Sequence, residues 1–278
     1  MWNVSETTVK RWADAGLLKC FRTPGGHRKF KLDDISEFQA SRGFVATGVL
    51  TKQDWEDPDV ENFVNQQNRD KLRELTLYLA VQNQVRRIRE LLDRLYIRGL
   101  ELADLYDNLL LPVADSIEEQ LRTKKLSLGQ HHLGCKNLES AVAYFYPRIV
   151  RRRANGKTAL CASPDPEPCV LTEGVGRVLE SEGWDCLNLG ARTPFQAMAE
   201  MVKDEPVNLV CICSVRTRLD ASSKSDFEAL CATAETFRIP IVLTGPGFAK
   251  LGLRDSLPSH EYFSNLVSLR QYVKHSAR

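Results

Sequence analysis

Cationic and hydroxyl side chains gather near the N-terminus in an order that suits a double-helical ligand. Thr7, Thr8, Lys10 and Arg11 share the outward face of a helix expected to start at a Ser5 cap. Arg22, His27, Arg28, Lys29 and Lys31 follow on a hairpin whose Gly25 and Gly26 let the backbone approach a phosphate closely. Phosphates need cations, and a major groove needs an element of helical width. The chemistry this implies is binding of double-stranded DNA. The competing reading is a solvated hairpin with ordinary surface charge.

The other reactive residue types carry weaker patterns. None of the eight cysteines forms a Cys-x-x-Cys pair, which argues against a zinc knuckle or a thioredoxin-like site. Cys161, Cys186, Cys211 and Cys213 lie in apolar, strand-like runs and read as small buried hydrophobes. His131 and His132 are adjacent, so one is expected to point into a pocket and the other to lie at the surface. The identity of any metal stays open. Gly245-Pro246-Gly247 follows a strand but lacks dinucleotide spacing. Arg148, Arg151, Arg152, Arg153 and Lys157 read as the cationic end of a helix before Gly156, with a second DNA contact as the alternative. No paired carboxylates or nucleophile–base arrangement suggests catalysis, so no enzyme activity is expected.

Composition sets outer bounds. The 278 residues carry 38 Lys+Arg against 36 Asp+Glu, a net charge of +2, so any nucleic-acid signal is local. No apolar run approaches a membrane span and no signal-peptide pattern follows Met1, which implies a cytoplasmic protein with no membrane partner.

Elements must position these groups. Residues 1–41 read as a DNA-binding domain: the Ser5 helix ended by Gly16, an extended run Leu17–Phe21, a turn Thr23–His27, a strand Arg28–Lys31, and a helix capped by Asp33 and carrying Ile35 and Phe38. Residues 42–68 are polar and broken by Gly43, Gly48 and Pro58, which reads as a linker or as a loop packed through Trp55. Residues 69–153 repeat leucines at helical spacing, including Leu72, Leu75, Leu79, Leu91 and Leu95, and read as a helical bundle. Pro112 is expected to start or kink a helix, and Gly129 lies near a boundary.

Residues 156–278 alternate strands and helices. The expected strands are Lys157–Ala162, Trp184–Leu189, Asn208–Ser214, Pro240–Thr244 and Glu261–Phe263; helices are expected over Val170–Glu180, Phe195–Lys203, Phe227–Phe237 and Val267–Lys274. That order implies a flavodoxin-like α/β domain with a parallel sheet covered on both faces and ligands at the strands' carboxyl ends.

The run VSETTVKRWADAGLLKCFRTPGGHRKFKLDDISEF resembles the winged-helix reader of MerR-type and excisionase-like regulators. The resemblance implies that Ser5–Ala15 is the recognition helix and that the Gly25–Gly26 hairpin is the wing. It also implies a further helix ending near Trp2. Without it Val9 and Trp12 lack a packing partner, so an in-frame upstream start is expected. One short reader buries little DNA surface, so self-association into dimers or larger oligomers is expected.

From about Asp70 onward, the chain resembles the cobalamin-binding module of light-responsive repressors of the CarH/LitR type, including the Leu111-Pro112-Val113 helix start. That family has a Trp, nine residues, then Glu-His above the corrin; here Leu121, His131 and His132 occupy those positions. Its lower histidine corresponds to Cys169, beside a retained Glu167. Its small Ser-x-Leu segment reads Ser214-Val215-Arg216, and its Gly-Gly pair reads Thr244-Gly245. The resemblance therefore implies the scaffold with degraded cobalamin motifs. The cofactor stays open, with three readings: a scaffold without the usual cobalamin use, cobalamin held with His132 above the ring, or another ligand or redox chemistry at Cys169. Cys169 precedes a helix, which would favour its thiolate, although a space-filling thiol is the simpler account. The functional expectation is a DNA-binding transcription regulator, a repressor, with a sensor and oligomerisation region. Its rivals are a corrinoid methyl-group carrier and a partner-binding adaptor.

Overall fold

The computed structural model describes residues 6–22, 28–30, 38, 64, 68–145, 152–165, 170–215, 221–249 and 261–276. The chain divides into two compact units, Met1–Asn68 and Arg69–Arg278.

In the N-terminal unit, helix α1 spans Glu6–Asp14. Gly16 adopts a φ of 70°, and its N–H bonds to the Ala13 carbonyl at 3.1 Å. The Leu17 N–H closes on the Trp12 carbonyl at 2.9 Å, completing a glycine-capped helix end. This cap corrects the expected extended run. The amides of Leu17 and Leu18 both turn back to Trp12, so strand β1 (Phe21–Arg22) begins only at Phe21. Strand β2 (Arg28–Lys29) pairs with it antiparallel, Phe21 opposite Lys29 and Arg22 opposite Arg28.

Trp12 also has a packing partner: its ring lies 5.1 Å from that of Phe38, which is buried. The expectation that Trp12 has no packing partner is therefore corrected. Ser5, the turn Thr23–His27, Lys31, Asp33, Ile35 and Trp55 lie outside the described residues, as does all of 42–68 apart from Val64 and Asn68.

The second unit opens with four helical segments: α2 (Arg69–Val81), α3 (Val85–Ile97), a long segment over 102–122, and α6 (Leu128–Phe145). Most leucines of the expected stripes are buried, and Leu75 is half-buried. The long segment comprises α4 (Leu102–Leu105), a π-helical turn (Tyr106–Leu110) and α5 (Leu111–Arg122). Pro112 lies in the first turn of α5, as expected of a helix start, but the backbone stays right-handed helical through Leu110 and Leu111, so α5 continues directly from the π turn.

The π turn explains how. Proline has no N–H, so the carbonyl four residues earlier, that of Asn108, loses its helical donor. The Leu111 N–H bonds to Tyr106 in the wider register, and the Arg73 guanidinium donates to the Asn108 carbonyl at 2.7 Å. The neighbouring Tyr106 ring is buried at 1% exposure.

The remainder is a five-stranded parallel sheet in the order β4-β3-β5-β6-β7. Its strands are β3 (Thr158–Ala162), β4 (Asp185–Gly190), β5 (Leu209–Cys213), β6 (Ile241–Thr244) and β7 (Glu261–Phe263). The helices are α7 (Val170–Ser181), α8 (Phe195–Asp204), α9 (Ala221–Thr236), a short α10 (Pro246–Ala249) and α11 (Leu266–Ser276). Leu160, Val210, Ile212, Ile241 and Leu243 form one core with Phe195, Met198, Phe227 and Leu230 of α8 and α9. Period-two alternation turns Cys161, Cys211 and Val242 to the other face.

The part of the basic cluster that is described differs from the expected helix end: α6 is described over Leu128–Phe145, and residues 152–155 are not helical. The Arg152 amide bonds to the Ser181 carbonyl at 2.9 Å, and its guanidinium pairs with the buried Glu182 at 2.8 Å. Arg148 and Arg151 lie outside the described residues.

Bundle and sheet meet through the π turn. Asp107 accepts the Leu266 and Val267 N–H groups at 2.9 and 3.0 Å, and Asn265 accepts that of Ser268 at 2.8 Å, so the first turn of α11 is capped. Burial pushes the Asp107 carboxyl above the ordinary aspartate value, opposed by these two N–H bonds. Asp107→Ala is expected to lower stability by about 1–2 kcal/mol, the usual cost of a lost cap, with Asp107→Asn costing less. Because the folded-state pKa lies above the unfolded one, the carboxyl's contribution is largest at low pH and declines as pH rises through the folded value. Urea unfolding from acid to neutral pH should show that decline in the wild type and not in Asp107→Asn.

Candidate functional site

In the N-terminal unit, Thr7, Lys10 and Arg11 are exposed along α1 and Thr8 is half-buried. Positions 7, 10 and 11 fall three and four residues apart, hence on one helical face. Arg28 lies on the hairpin strand and has a partner within the unit. Its guanidinium pairs with Asp14 at 2.5 Å, and its side chain is 21% exposed. Arg28 therefore ties the hairpin to the end of α1. The side chains of Arg22 and Lys29, and residues Gly25, Gly26, His27 and Lys31, lie outside the described residues.

In the second unit, the carboxyl edge of the sheet is the expected ligand position. β3 and β5 are the strands from which the chain departs in opposite directions, so the crevice lies between them. Asp165, just beyond β3, bridges it. Its carboxylate accepts the Ser214 hydroxyl at 2.9 Å and the Val215 N–H at 2.6 Å. Its own N–H meets the Ser163 hydroxyl at 3.2 Å. Ser214 and Thr244 are fully buried, and the Thr244 hydroxyl donates to the Phe263 carbonyl at 2.9 Å. A Cβ on Gly247 would sit 2.2 Å from the Ser214 hydroxyl oxygen, and one on Gly245 would sit 2.3 Å from the Ser214 carbonyl oxygen. Here glycine permits backbone to pack against backbone. Glu167, Cys169 and Arg216 lie outside the described residues.

A cavity of about 450 Å³ opens beside this edge, between Lys136, Ser140 and Tyr144 of α6 and Thr172, Glu173 and Arg177 of α7. Glu173 accepts from Asn188 at 3.0 Å and pairs with Arg177 at 3.3 Å, so its lining is charged and internally bonded.

In the bundle, His131 is the inward histidine, 4% exposed, and His132 is exposed. The inward ring meets Glu118 of α5, with its Nε2 2.7 Å from the carboxylate. Leu121 is half-buried on the same helix. The sheet cysteines fit the space-filling reading. The Cys161 thiol pushes that of Cys186 well upward, helped by burial, and on helix α9 burial raises Cys231 to about 12. Thiols so shifted stay protonated and unreactive at neutral pH.

Asp165, Glu118 and the α6–α7 cavity were not singled out from sequence. Each depends on partners far along the chain, and only an acidic residue immediately after a buried strand gave any local signal.

Residues 1–43 match the family model of a helix-turn-helix domain. No curated protein matches the chain. Among solved structures, the chain is similar to the monomethylamine corrinoid protein of Methanosarcina barkeri, with a TM-score of 0.57 and 14% identity over 76% of this chain and 99% of that one. A cobalamin-binding protein from Desulfitobacterium hafniense DCB-2 matches with a TM-score of 0.34 and 10% identity over 78% of this chain and 96% of that one. The methanol:cobalamin methyltransferase complex of Methanosarcina barkeri matches at 0.37 and 12%, over 100% and 94%. The first likeness establishes a shared fold, a helical bundle joined to a parallel α/β sheet.

The Asp165 bridge yields a direct test. Asp165→Ala strands the buried Ser214 hydroxyl and the Val215 N–H, and should lower stability by about 2 kcal/mol or more. Ser214→Ala should cost less, since it removes only one bond. Equal, negligible losses in chemical unfolding would contradict the bridge.

Proposed function

We propose that this protein is a transcription regulator, a repressor of MerR type, that reads double-stranded DNA through its N-terminal unit. The single observation that carries this reading is the helix-turn-helix match over residues 1–43, on a segment that exposes Thr7, Lys10 and Arg11 along one face of α1. Lys10 and Arg11 supply phosphate contacts, and Thr7 suits a base edge or a phosphate oxygen. The Arg28–Asp14 pair sets the hairpin against the helix, so α1 and the wing meet DNA together. The larger unit serves as sensor and self-association body on the corrinoid-protein scaffold. No helix among the described residues is long and apolar enough to cross a membrane. The reading places the protein in the cytoplasm and assigns it no enzymatic role.

A corrinoid held as in the CarH/LitR family does not fit the described residues. The hydroxyls of Ser214 and Thr244 are spent inside the protein, and the glycines after β6 are closed against Ser214. No histidine lies between His132 and His260, so the loop after β3 offers no imidazole to a cobalt ion. His131 turns to Glu118, and Leu121 has no aromatic face.

DNA binding is tested by titrating the full chain against a duplex from upstream of its own coding sequence at several salt concentrations. Lys10→Ala and Arg11→Ala should each weaken binding and reduce the salt slope by about one, the signature of a lost phosphate contact. Arg28→Ala should also weaken binding, with a smaller change in slope because its partner is Asp14. Unchanged affinity in all three variants would contradict the assigned face.

The sensor reading carries its own expectation. Adenosylcobalamin added in the dark, then illuminated, should leave oligomer size and DNA affinity unchanged. A complex that assembles in the dark and dissociates in light would overturn it.

A further inference from the structure

We infer that Glu118, His131 and Cys135 form a binding site for a divalent transition-metal ion of the zinc class, set between α5 and α6. His131 and Cys135 are four residues apart on α6 and so share one face of it. The His131 Nε2 lies 2.7 Å from Glu118 Oε1 and 3.7 Å from Cys135 Sγ, and the three donor atoms all lie within 4.8 Å of one another. Close helix packing makes this possible. At Gly134 an added Cβ would come within 3.1 Å of Ile117, the residue beside Glu118, so the absent side chain lets α5 approach α6.

Donor chemistry and spacing both point to a cation. Thiolate, imidazole and carboxylate together form a borderline-soft set that suits zinc or cobalt(II) and disfavours magnesium or calcium. Tetrahedral zinc with bonds of about 2.0 Å to nitrogen and oxygen and 2.3 Å to sulfur holds its donors roughly 3.2–3.8 Å apart. The nitrogen–sulfur separation already lies in that range. The shorter nitrogen–oxygen contact is a hydrogen bond, in which a proton takes the position a cation would occupy.

His131 is 4% exposed and its Nδ1 is buried, while Nε2 faces both Glu118 and Cys135. On binding, the Cys135 thiol loses its proton to solvent, the imidazole proton moves from Nε2 to Nδ1, and the metal takes the freed lone pairs. Affinity should therefore rise with pH. Three protein donors leave a fourth position for water or a small anion. Glu118 and Cys135 are both partly exposed, which gives the ion a path in.

The site is independent of the DNA-binding reading and is tested apart from it. The full-length, reduced and metal-stripped chain is titrated with cobalt(II) and its absorption recorded. One equivalent should bind with a thiolate-to-cobalt charge-transfer band in the near ultraviolet, and zinc should displace it. Cys135→Ser should abolish the band, while Cys20→Ser leaves it intact. Glu118→Gln, at a partly exposed position, should weaken binding by about tenfold or more. Circular dichroism checks the helicity of each variant. Absence of the band in the wild type, its survival in folded Cys135→Ser, or unchanged affinity in Glu118→Gln would overturn the site.

Discussion

Pro112 cannot donate a backbone hydrogen bond, and the arrangement of the C-terminal unit follows from how that lack is absorbed. The helix widens over Tyr106–Leu110 and Arg73 fills the carbonyl that proline leaves open. The same turn carries Tyr106 and Asp107. Tyr106 fits where Gly174 of α7 has no side chain; an added Cβ would lie 2.7 Å from its ring. Asp107 reaches the amides of α11, some 160 residues away in sequence. One local irregularity thus supplies both a packed aromatic and a helix cap, and bundle and sheet form a single body.

That body has the architecture of a corrinoid protein but spends the polar groups at its sheet edge on itself. Asp165 spans the crevice between β3 and β5, where such sheets hold ligands, and ties down Ser214 and Val215. Desolvated hydrogen bonds of this kind stabilise the edge and remove the groups a ligand would need. The inward histidine, His131, turns to a carboxylate of α5, so the proposed metal site lies in the bundle and not at the sheet edge.

Much of the architecture is legible in the sequence because it rests on periodicity. The helix expected over Val170–Glu180 spans Val170–Ser181, and the strand expected over Asn208–Ser214 spans Leu209–Cys213. Buried parallel strands such as Leu209–Cys213 carry unbroken apolar runs that leave little ambiguity. Pairings across the chain were not legible. Pro112 reads locally as a helix start or kink; the π turn before it and the Arg73 contact, from another helix, are not visible there. Leu17–Phe21 reads as a strand, but the cap at Gly16 takes its first two amides. Arg28 reads as a phosphate contact, and its pairing with Asp14 could not be read from the sequence. In the candidate site, the sequence marked the adjacent histidines without indicating which turns inward or toward what. That choice depends on Glu118 and on the close approach at Gly134.

The proposed function has the N-terminal unit read DNA while the larger unit assembles and senses. Its DNA half is the more exposed to refutation. Hydroxyl-radical footprinting of the full-length chain on duplexes from upstream of its own coding sequence tests it most directly. The account expects a discrete protected site containing repeated half-sites about one helical turn, or a multiple of it, apart, as a self-associated reader requires. Uniform or absent protection at moderate salt would contradict it.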